Sequence, residues 1–176
     1  MANEKHDACG VPHQCQREIP TWLVLLDNVP TLILFGLGAV LVGRLWWPLA
    51  ALFLVYCGAA ILLFWGRICP YCPHFGTRAC PCGYGVLAPR FFRSRVGTEG
   101  KDFRTVFRRN IGIMFPCWLV PLGIGLMLLW RERSLELMVL LGVFCLVGFV
   151  AIPLISLLVG CRACEIKDQC PWMGRR

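Results

Sequence analysis

Long apolar runs dominate this sequence of 176 residues and alternate with shorter polar stretches. Four runs reach the roughly 20 residues that an α-helix needs to cross a bilayer, and they cover residues 22–42, 45–65, 111–130 and 135–160. Only a few residues separate the runs within the first pair and within the last pair, whereas a long polar loop lies between the pairs. The pattern predicts an all-α membrane protein with four transmembrane helices arranged as two hairpins.

These boundaries divide the chain into five segments. Residues 21–66 and 111–160 are predicted to form the two hairpins, and residues 67–110 form the loop between them. Residues 1–20 and 161–176 are polar tails that contain cysteine, as the loop does. The first tail leads directly into a full-length span, unlike a signal peptide with its short basic start and short apolar core, so we expect the tail to be retained.

Composition and charge orient the predicted helices. Hydrophobic residues make up 57% of the chain and charged residues only 16%, below the roughly 25% of a soluble domain, which argues against a soluble or disordered chain. With four spans, both tails and the loop share one side, and that side holds fifteen of the eighteen Lys and Arg residues. Because these residues concentrate in cytoplasmic segments, we expect both termini and the loop in the cytoplasm. This bias explains the charge without nucleic acid as a partner.

Cysteines are concentrated on the same basic side. Of the twelve cysteines, three fall within predicted spans, where we expect them to pack as small apolar side chains; these are Cys57, Cys117 and Cys145. The other nine face the predicted cytoplasm, and they are Cys9, Cys15, Cys69, Cys72, Cys80, Cys82, Cys161, Cys164 and Cys170. Because disulfides are rare in that reducing compartment, the set indicates metal binding or redox chemistry.

The nine cysteines form groups with the spacing of metal ligands. The loop group supplies four thiols within 14 residues, enough for one tetrahedral zinc or one 4Fe–4S cluster: Cys69, Cys72, Cys80 and Cys82. The C-terminal group supplies three, Cys161, Cys164 and Cys170, and takes its fourth ligand from Cys9 or Cys15. We therefore predict two 4Fe–4S clusters. A crossed arrangement, with Cys69 and Cys72 joining the C-terminal group, is equally simple.

Proline residues favour iron–sulfur chemistry over its alternatives. Proline follows Cys69, Cys72, Cys80 and Cys170, and proline after the last cysteine is typical of the ferredoxin run C-x2-C-x2-C-x3-C-P. Paired cysteines are also a zinc signature, which would make the chain a zinc-binding structural or assembly membrane protein. A third interpretation is a membrane thiol–disulfide oxidoreductase that uses Cys69 and Cys72 as its redox pair.

The loop sequence Cys69-Pro-Tyr-Cys72-Pro73-His74-Phe75-Gly76 resembles the C-x3-C-P-F-G motif of a known family. This family comprises the four-helix membrane iron–sulfur subunits of quinol dehydrogenases in nitrate and nitrous-oxide respiration. The loop here is one residue shorter, with His before Phe. The resemblance implies a multi-pass subunit of the prokaryotic plasma (inner) membrane that links a redox partner to the quinone pool through cytoplasmic-side clusters. Within a larger oxidoreductase complex, this subunit would be either non-catalytic or quinone-reactive.

Asp27 stands within the first predicted span, next to Asn28 and shortly before Pro30. An ionisable residue inside a membrane marks a functional site by default, and Asp27 is the candidate to hydrogen-bond a quinone head group or to take up protons from a quinol. The alternative is an aspartate at head-group depth. In the loop, residues 101–109 predict a short amphipathic helix whose basic face lies on anionic membrane lipid.

Overall fold

A computed structural model describes residues 18–96 and 102–161 of the chain. All regular structure within these ranges is helical, and four helical segments are long and apolar enough to span a membrane. The coarse prediction, a helical chain with four membrane-spanning segments, is confirmed. Residues 1–17, 97–101 and 162–176 lie outside the described ranges.

Seven α-helices carry the described part of the chain, and they are α1 Thr21–Leu45, α2 Trp47–Arg67, α3 Tyr84–Leu87, α4 Phe103–Asn110, α5 Pro116–Glu132, α6 Leu135–Cys145 and α7 Ile152–Ile155. Short 3-10 turns lie at Cys69–Tyr71, Ala88–Arg90 and Ile111–Met114. Two π-helical turns, Leu146–Ala151 and Ser156–Cys161, extend α6 and α7 into one continuous helical segment. The amphipathic helix predicted in the loop is present as α4.

The break between the first two helices differs from the prediction. The sequence pattern places it at Gly43 and Arg44, but α1 continues to Leu45, and the single residue Trp46 is extended, with a φ of −167°. Pro48 then stands in the first turn of α2, where its missing N–H costs no helical hydrogen bond. The third candidate span, Phe103–Glu132, includes the predicted residues 111–130, and a 3-10 turn at Ile111–Met114 precedes α5 within it.

Helix α1 lies at the centre of the bundle and packs against α2, α5 and the last helical segment. One apolar cluster joins α1 to α5 and α6, through Leu34, Leu41, Leu128, Leu137, Leu141 and Phe144. A second joins α1 to α2 and α5, through Phe35, Val42, Phe53, Cys57, Ala60 and Cys117. The outer faces are apolar and exposed, as at Trp47 (76%) and Trp130 (85%). This distribution suits helices whose outer faces contact lipid.

The two ends of the bundle differ in chemistry. At one end, Arg44 donates a hydrogen bond to Glu136 and links the end of α1 to the start of α6. Between the two ends, the close packing of α1 against α2 depends on Gly38 of α1, because a Cβ there would lie 2.9 Å from the ring of Phe53 of α2. At the other end, α2 leads into the cysteine-containing segment of residues 68–96. We call this the loop end, and the candidate site lies there.

Candidate functional site

The first cysteine pair is shaped by a tight turn directly after α2. Cys69 begins the 3-10 turn, and the backbone N–H of Cys72 donates to the Cys69 carbonyl oxygen at 2.9 Å. Cys69 and Tyr71 are buried, while Cys72 is half-buried. The C-x2-C spacing therefore places both cysteines within one turn, as a shared ligand pair requires.

The second pair, Cys80 and Cys82, lies in a turn closed by a hydrogen bond from the Gly83 N–H to the Cys80 carbonyl oxygen at 3.0 Å. Gly83 has a φ of +73°, a left-handed conformation that glycine adopts without strain. This geometry directs several donors at one sulfur. The Cys82 thiol hydrogen-bonds to Cys80 Sγ, and so do the backbone N–H groups of Gly85, Cys82 and Tyr84.

These donors lower the pKa of the Cys80 thiol to about 6, with the Cys82 thiol as the largest contributor, despite the opposing effect of burial. The same contact raises the pKa of Cys82. Of the two thiols, Cys80 is therefore the one that ionises more readily. A thiolate that accepts several N–H donors is a stabilised metal ligand, because hydrogen bonds to sulfur tune a bound centre.

The two pairs are neighbours in space. Cys69 lies close enough to both Cys72 and Cys80 for their charges to act on it, and Cys80 contacts Cys82. None of these four cysteines forms a disulfide bond. Within residues 18–96 and 102–161, however, no three His, Cys, Asp or Glu side chains are arranged so that they would hold a metal ion. Four thiols are the number and the type of ligand that a tetrahedral zinc or a 4Fe–4S cluster requires. They lie near one another, but they are not arranged in the geometry of a bound metal centre.

A close backbone approach at Gly85 joins the two pairs. The Gly76 N–H donates to the Gly85 carbonyl oxygen at 2.9 Å. A Cβ at Gly85 would lie 2.5 Å from the carbonyl oxygen of His74 and 2.8 Å from Cys80 Cβ. The imidazole of His74 is buried here, at 2% exposure. Only glycine fits this position, so the loop is built around the contact.

Asp27 is part of a polar cluster that includes the second cysteine pair. Its side chain lies next to the Cys82 thiol, and the Ser156 hydroxyl donates to Asp27 Oδ1 at 3.2 Å. The Asn28 amide donates to the Cys82 carbonyl oxygen at 3.1 Å, and the Tyr84 hydroxyl donates to Asn28 Oδ1 at 3.0 Å. We call Asp27, Asn28, Cys82, Tyr84 and Ser156 the Asp27 cluster. It ties the cysteine loop to both the first and the last membrane helix.

Aromatic side chains cover one side of the Asp27 cluster. The ring of Tyr84 lies 5.4 Å from that of Trp65 and 6.1 Å from that of Phe64. Burial, followed by the neighbouring Cys82 and Asp27, raises the pKa of the Tyr84 hydroxyl, which therefore stays a hydrogen-bond donor. The indole N–H of Trp65 is buried without an acceptor among the described residues. Polar donors next to aromatic faces suit a planar ligand with oxygen at its edge.

Sequence reasoning identified Asp27 and the four loop cysteines, but it missed Asn28, Tyr84 and Ser156 as partners. Asn28 and Ser156 are polar residues within apolar helical segments, a signal that would have singled them out. Nothing in the local sequence marks Tyr84, because its role depends on where the loop folds.

Most of the C-terminal group lies outside the described residues, because Cys164 and Cys170 are not among them. The two cysteines of the N-terminal tail, Cys9 and Cys15, also lie outside the described residues. Cys161 is the last residue of the final π-helical turn. Because Ser156 in that turn contacts Asp27, the last helix ends at the loop end of the bundle. The C-terminal cysteine group therefore follows directly from the end that carries the loop group.

Comparisons of the chain with family models, with curated proteins and with solved structures found no match.

Proposed function

We propose that this chain is an electron-transfer subunit of a membrane oxidoreductase complex. It holds two 4Fe–4S clusters on the cytoplasmic side and links a redox partner to the quinone pool. In this proposal the four helices form two hairpins with both termini in the cytoplasm. The observation that carries it is the packing of the cysteine loop against α1, where the Asn28 amide donates to the Cys82 carbonyl oxygen at 3.1 Å beside the ionisable side chain of Asp27.

The loop group supplies the ligands of one proposed cluster through Cys69, Cys72, Cys80 and Cys82. The C-terminal group would hold the other, through Cys161, Cys164 and Cys170 with Cys9 or Cys15. When bound, such a cluster supplies one-electron transfer. The protein positions the sulfurs through the two tight turns and donates backbone N–H groups to Cys80. It also shields the loop group through the burial of Cys69, Tyr71 and His74.

The Asp27 cluster is the proposed quinone site. The buried Trp65 N–H, which has no acceptor among the described residues, is a donor suited to a quinone oxygen, and the Asp27 carboxylate is an acceptor for the hydroxyl of a quinol. Cys82 lies next to Asp27, so a head group bound at Asp27 would lie close to the loop cysteines. Short separation favours electron transfer without any further carrier.

Metal analysis of detergent-purified protein, prepared without oxygen, tests the cluster proposal. We expect about eight iron and eight sulfide per chain, because each 4Fe–4S cluster uses four cysteines, and an EPR signal after reduction with dithionite. Zinc in whole-number stoichiometry in a colourless sample would contradict the proposal and indicate the zinc-binding structural or assembly protein. Metal-free protein with a reversible disulfide between Cys69 and Cys72 would instead indicate the thiol–disulfide oxidoreductase.

An Asp27→Asn variant tests the quinone site. We expect dithionite-reduced protein to be oxidised by duroquinone about tenfold more slowly, the order expected when a charge-assisted hydrogen bond is lost. Oxidation by ferricyanide, a soluble oxidant that needs no quinone site, should keep its rate. Asp102→Asn is the matched control because Asp102 is exposed and precedes α4. Equal duroquinone rates in both variants and the unmodified protein would reject Asp27 as a quinone ligand.

A further inference from the structure

A second site lies at the loop end, apart from the cysteines. A cavity of about 500 Å³ opens between the end of α2, the segment around Arg95, and α4. Three guanidinium groups line it, those of Arg67, Arg95 and Arg109, and it also receives the side chains of Tyr71, Thr105 and Asn110. Among the described residues, the lining thus combines positive charge with neutral hydrogen-bonding groups and includes no Asp or Glu side chain.

The ion pairs of Arg44 with Glu136 and of Arg78 with Glu18 both lie away from the cavity. Neither Arg67 nor Arg109 therefore has a carboxylate partner within the described ranges. Arginine presents a planar fork of donors that matches the oxygens of a phosphate group. The cavity is suited to an anion with several oxygens.

The framework of the cavity holds one arginine in place. The Arg95 backbone N–H donates to the Pro70 carbonyl oxygen at 2.7 Å, and its guanidinium donates to the Tyr71 hydroxyl at 3.4 Å. Next to the cavity lining, Phe107 of α4 packs edge-on against Phe64 of α2, with ring centroids 6.4 Å apart. This contact holds the basic helix α4 against the end of a membrane-spanning helix.

The position of the cavity indicates whether its anion belongs to a membrane lipid or to a soluble molecule. Arg67 is the last residue of α2, a helix long and apolar enough to span the membrane. The amphipathic helix α4 places Arg109 at the same level, while Phe103 and Phe107 are half-buried towards α2. Phosphates of a bilayer lie at the ends of spanning helices, and basic pockets at that depth bind anionic head groups.

We propose that this cavity is a binding site for the head group of an anionic phospholipid, held by Arg67, Arg95 and Arg109. The site fixes α4 to the membrane surface beside the cysteine loop. It is independent of the proposed electron-transfer function, since it uses none of the cysteines and none of the Asp27 cluster. A free phosphate ester has the same chemistry, so the test separates the two sources.

Binding is measured on the full chain by native mass spectrometry from nanodiscs of phosphatidylcholine with or without phosphatidylglycerol. We expect phosphatidylglycerol to stay bound to the unmodified protein. The double variant Arg67→Gln, Arg109→Gln should bind it roughly 30-fold more weakly, as expected for two arginines near a lipid surface. The matched control is Arg90→Gln, Arg93→Gln, which removes the same charge from exposed loop positions outside the cavity lining.

Equal weakening in the two double variants would overturn the site, because it would show a diffuse attraction between the basic loop and the bilayer. Soluble glycerol phosphate that binds as tightly in pure phosphatidylcholine nanodiscs would overturn the assignment to lipid. Iron content is recorded for every variant. Loss of lipid with unchanged iron content separates this site from the proposed clusters.

Discussion

Replacing Cys80 by Ser is expected to abolish the metal centre of the loop and to lower the iron content by about four per chain, the content of one 4Fe–4S cluster. Cys80 is the sulfur on which the local structure converges, since the Cys82 thiol and three backbone N–H groups hydrogen-bond to it. A serine hydroxyl stays protonated at neutral pH and is a poor ligand for iron. Iron and sulfide analysis, with the EPR signal after reduction, measures the loss.

Cys145→Ser is the matched control for this variant. Cys145 is a half-buried free thiol at the end of α6, packed beside the apolar cluster of α1, α5 and α6, and a helical serine there can hydrogen-bond within its own helix. We expect its metal content to equal that of the unmodified protein. A Cys80→Ser protein that retains full iron, sulfide and signal would reject the loop group as a ligand set.

The same analysis of Cys164→Ser assigns the second group. If the groups are separate, each of the two variants loses one cluster and keeps the other. If the crossed arrangement holds, with Cys69 and Cys72 joining the C-terminal group, Cys69→Ser and Cys164→Ser lose the same cluster. The EPR signals that survive in each variant distinguish these arrangements.

The variant Gly85→Ala, which adds one methyl group, is expected to lose almost as much of the loop metal as Cys80→Ser does. It has this effect although it changes none of the cysteines. The new Cβ would meet the carbonyl oxygens of His74 and Thr77 at 2.5 and 2.8 Å. These are backbone atoms, so the loop must move to relieve the clash, at a cost of about 1–3 kcal/mol. That movement takes the Gly85 N–H away from Cys80 Sγ and separates the two cysteine pairs. We expect a lower unfolding temperature in detergent and loss of the loop metal.

Gly112→Ala is the matched control, because Gly112 lies in the 3-10 turn before α5 and a Cβ there meets nothing within 4 Å. This variant should keep both its metal content and its unfolding temperature. A Gly85→Ala protein with unchanged metal and unchanged unfolding temperature would show that the close approach of the two pairs is not required for the site.

Local patterns in the sequence were sufficient for the coarse architecture. The length of an apolar run decides whether a helix can span a membrane, because the thickness of the bilayer sets the number of residues, and no knowledge of neighbours is needed. The same holds for α4, whose Phe103 and Phe107 recur at helical spacing among arginines. The break at Trp46 was misplaced because glycine and arginine are tolerated within a helix end when packing supports it, and α1 packs against α2 there.

Spacing also accounts for each cysteine pair taken alone. Two cysteines three positions apart fall within one turn whatever surrounds them, and this is how Cys69 and Cys72 are arranged. Whether two such turns lie next to each other depends on how closely the backbone of one segment approaches the backbone of the other. The spacing of the cysteines along the sequence does not predict this. Gly85 makes that approach, and its significance appears only when the neighbouring carbonyl oxygens are located.

Contacts between distant segments were decided by the tertiary structure alone. Ser156 is 129 positions from Asp27, and Tyr84 is 56 positions from Asn28. Such pairs meet only because the helices have a particular rotation about their axes and the loop returns over the end of α1, and both depend on packing of the whole bundle. The chain by itself determined that there are four membrane helices and which cysteines stand close along it. The folded bundle decided that a loop thiol lies next to Asp27 and that three arginines share one cavity, because interactions across helices arise from packing and not from sequence proximity.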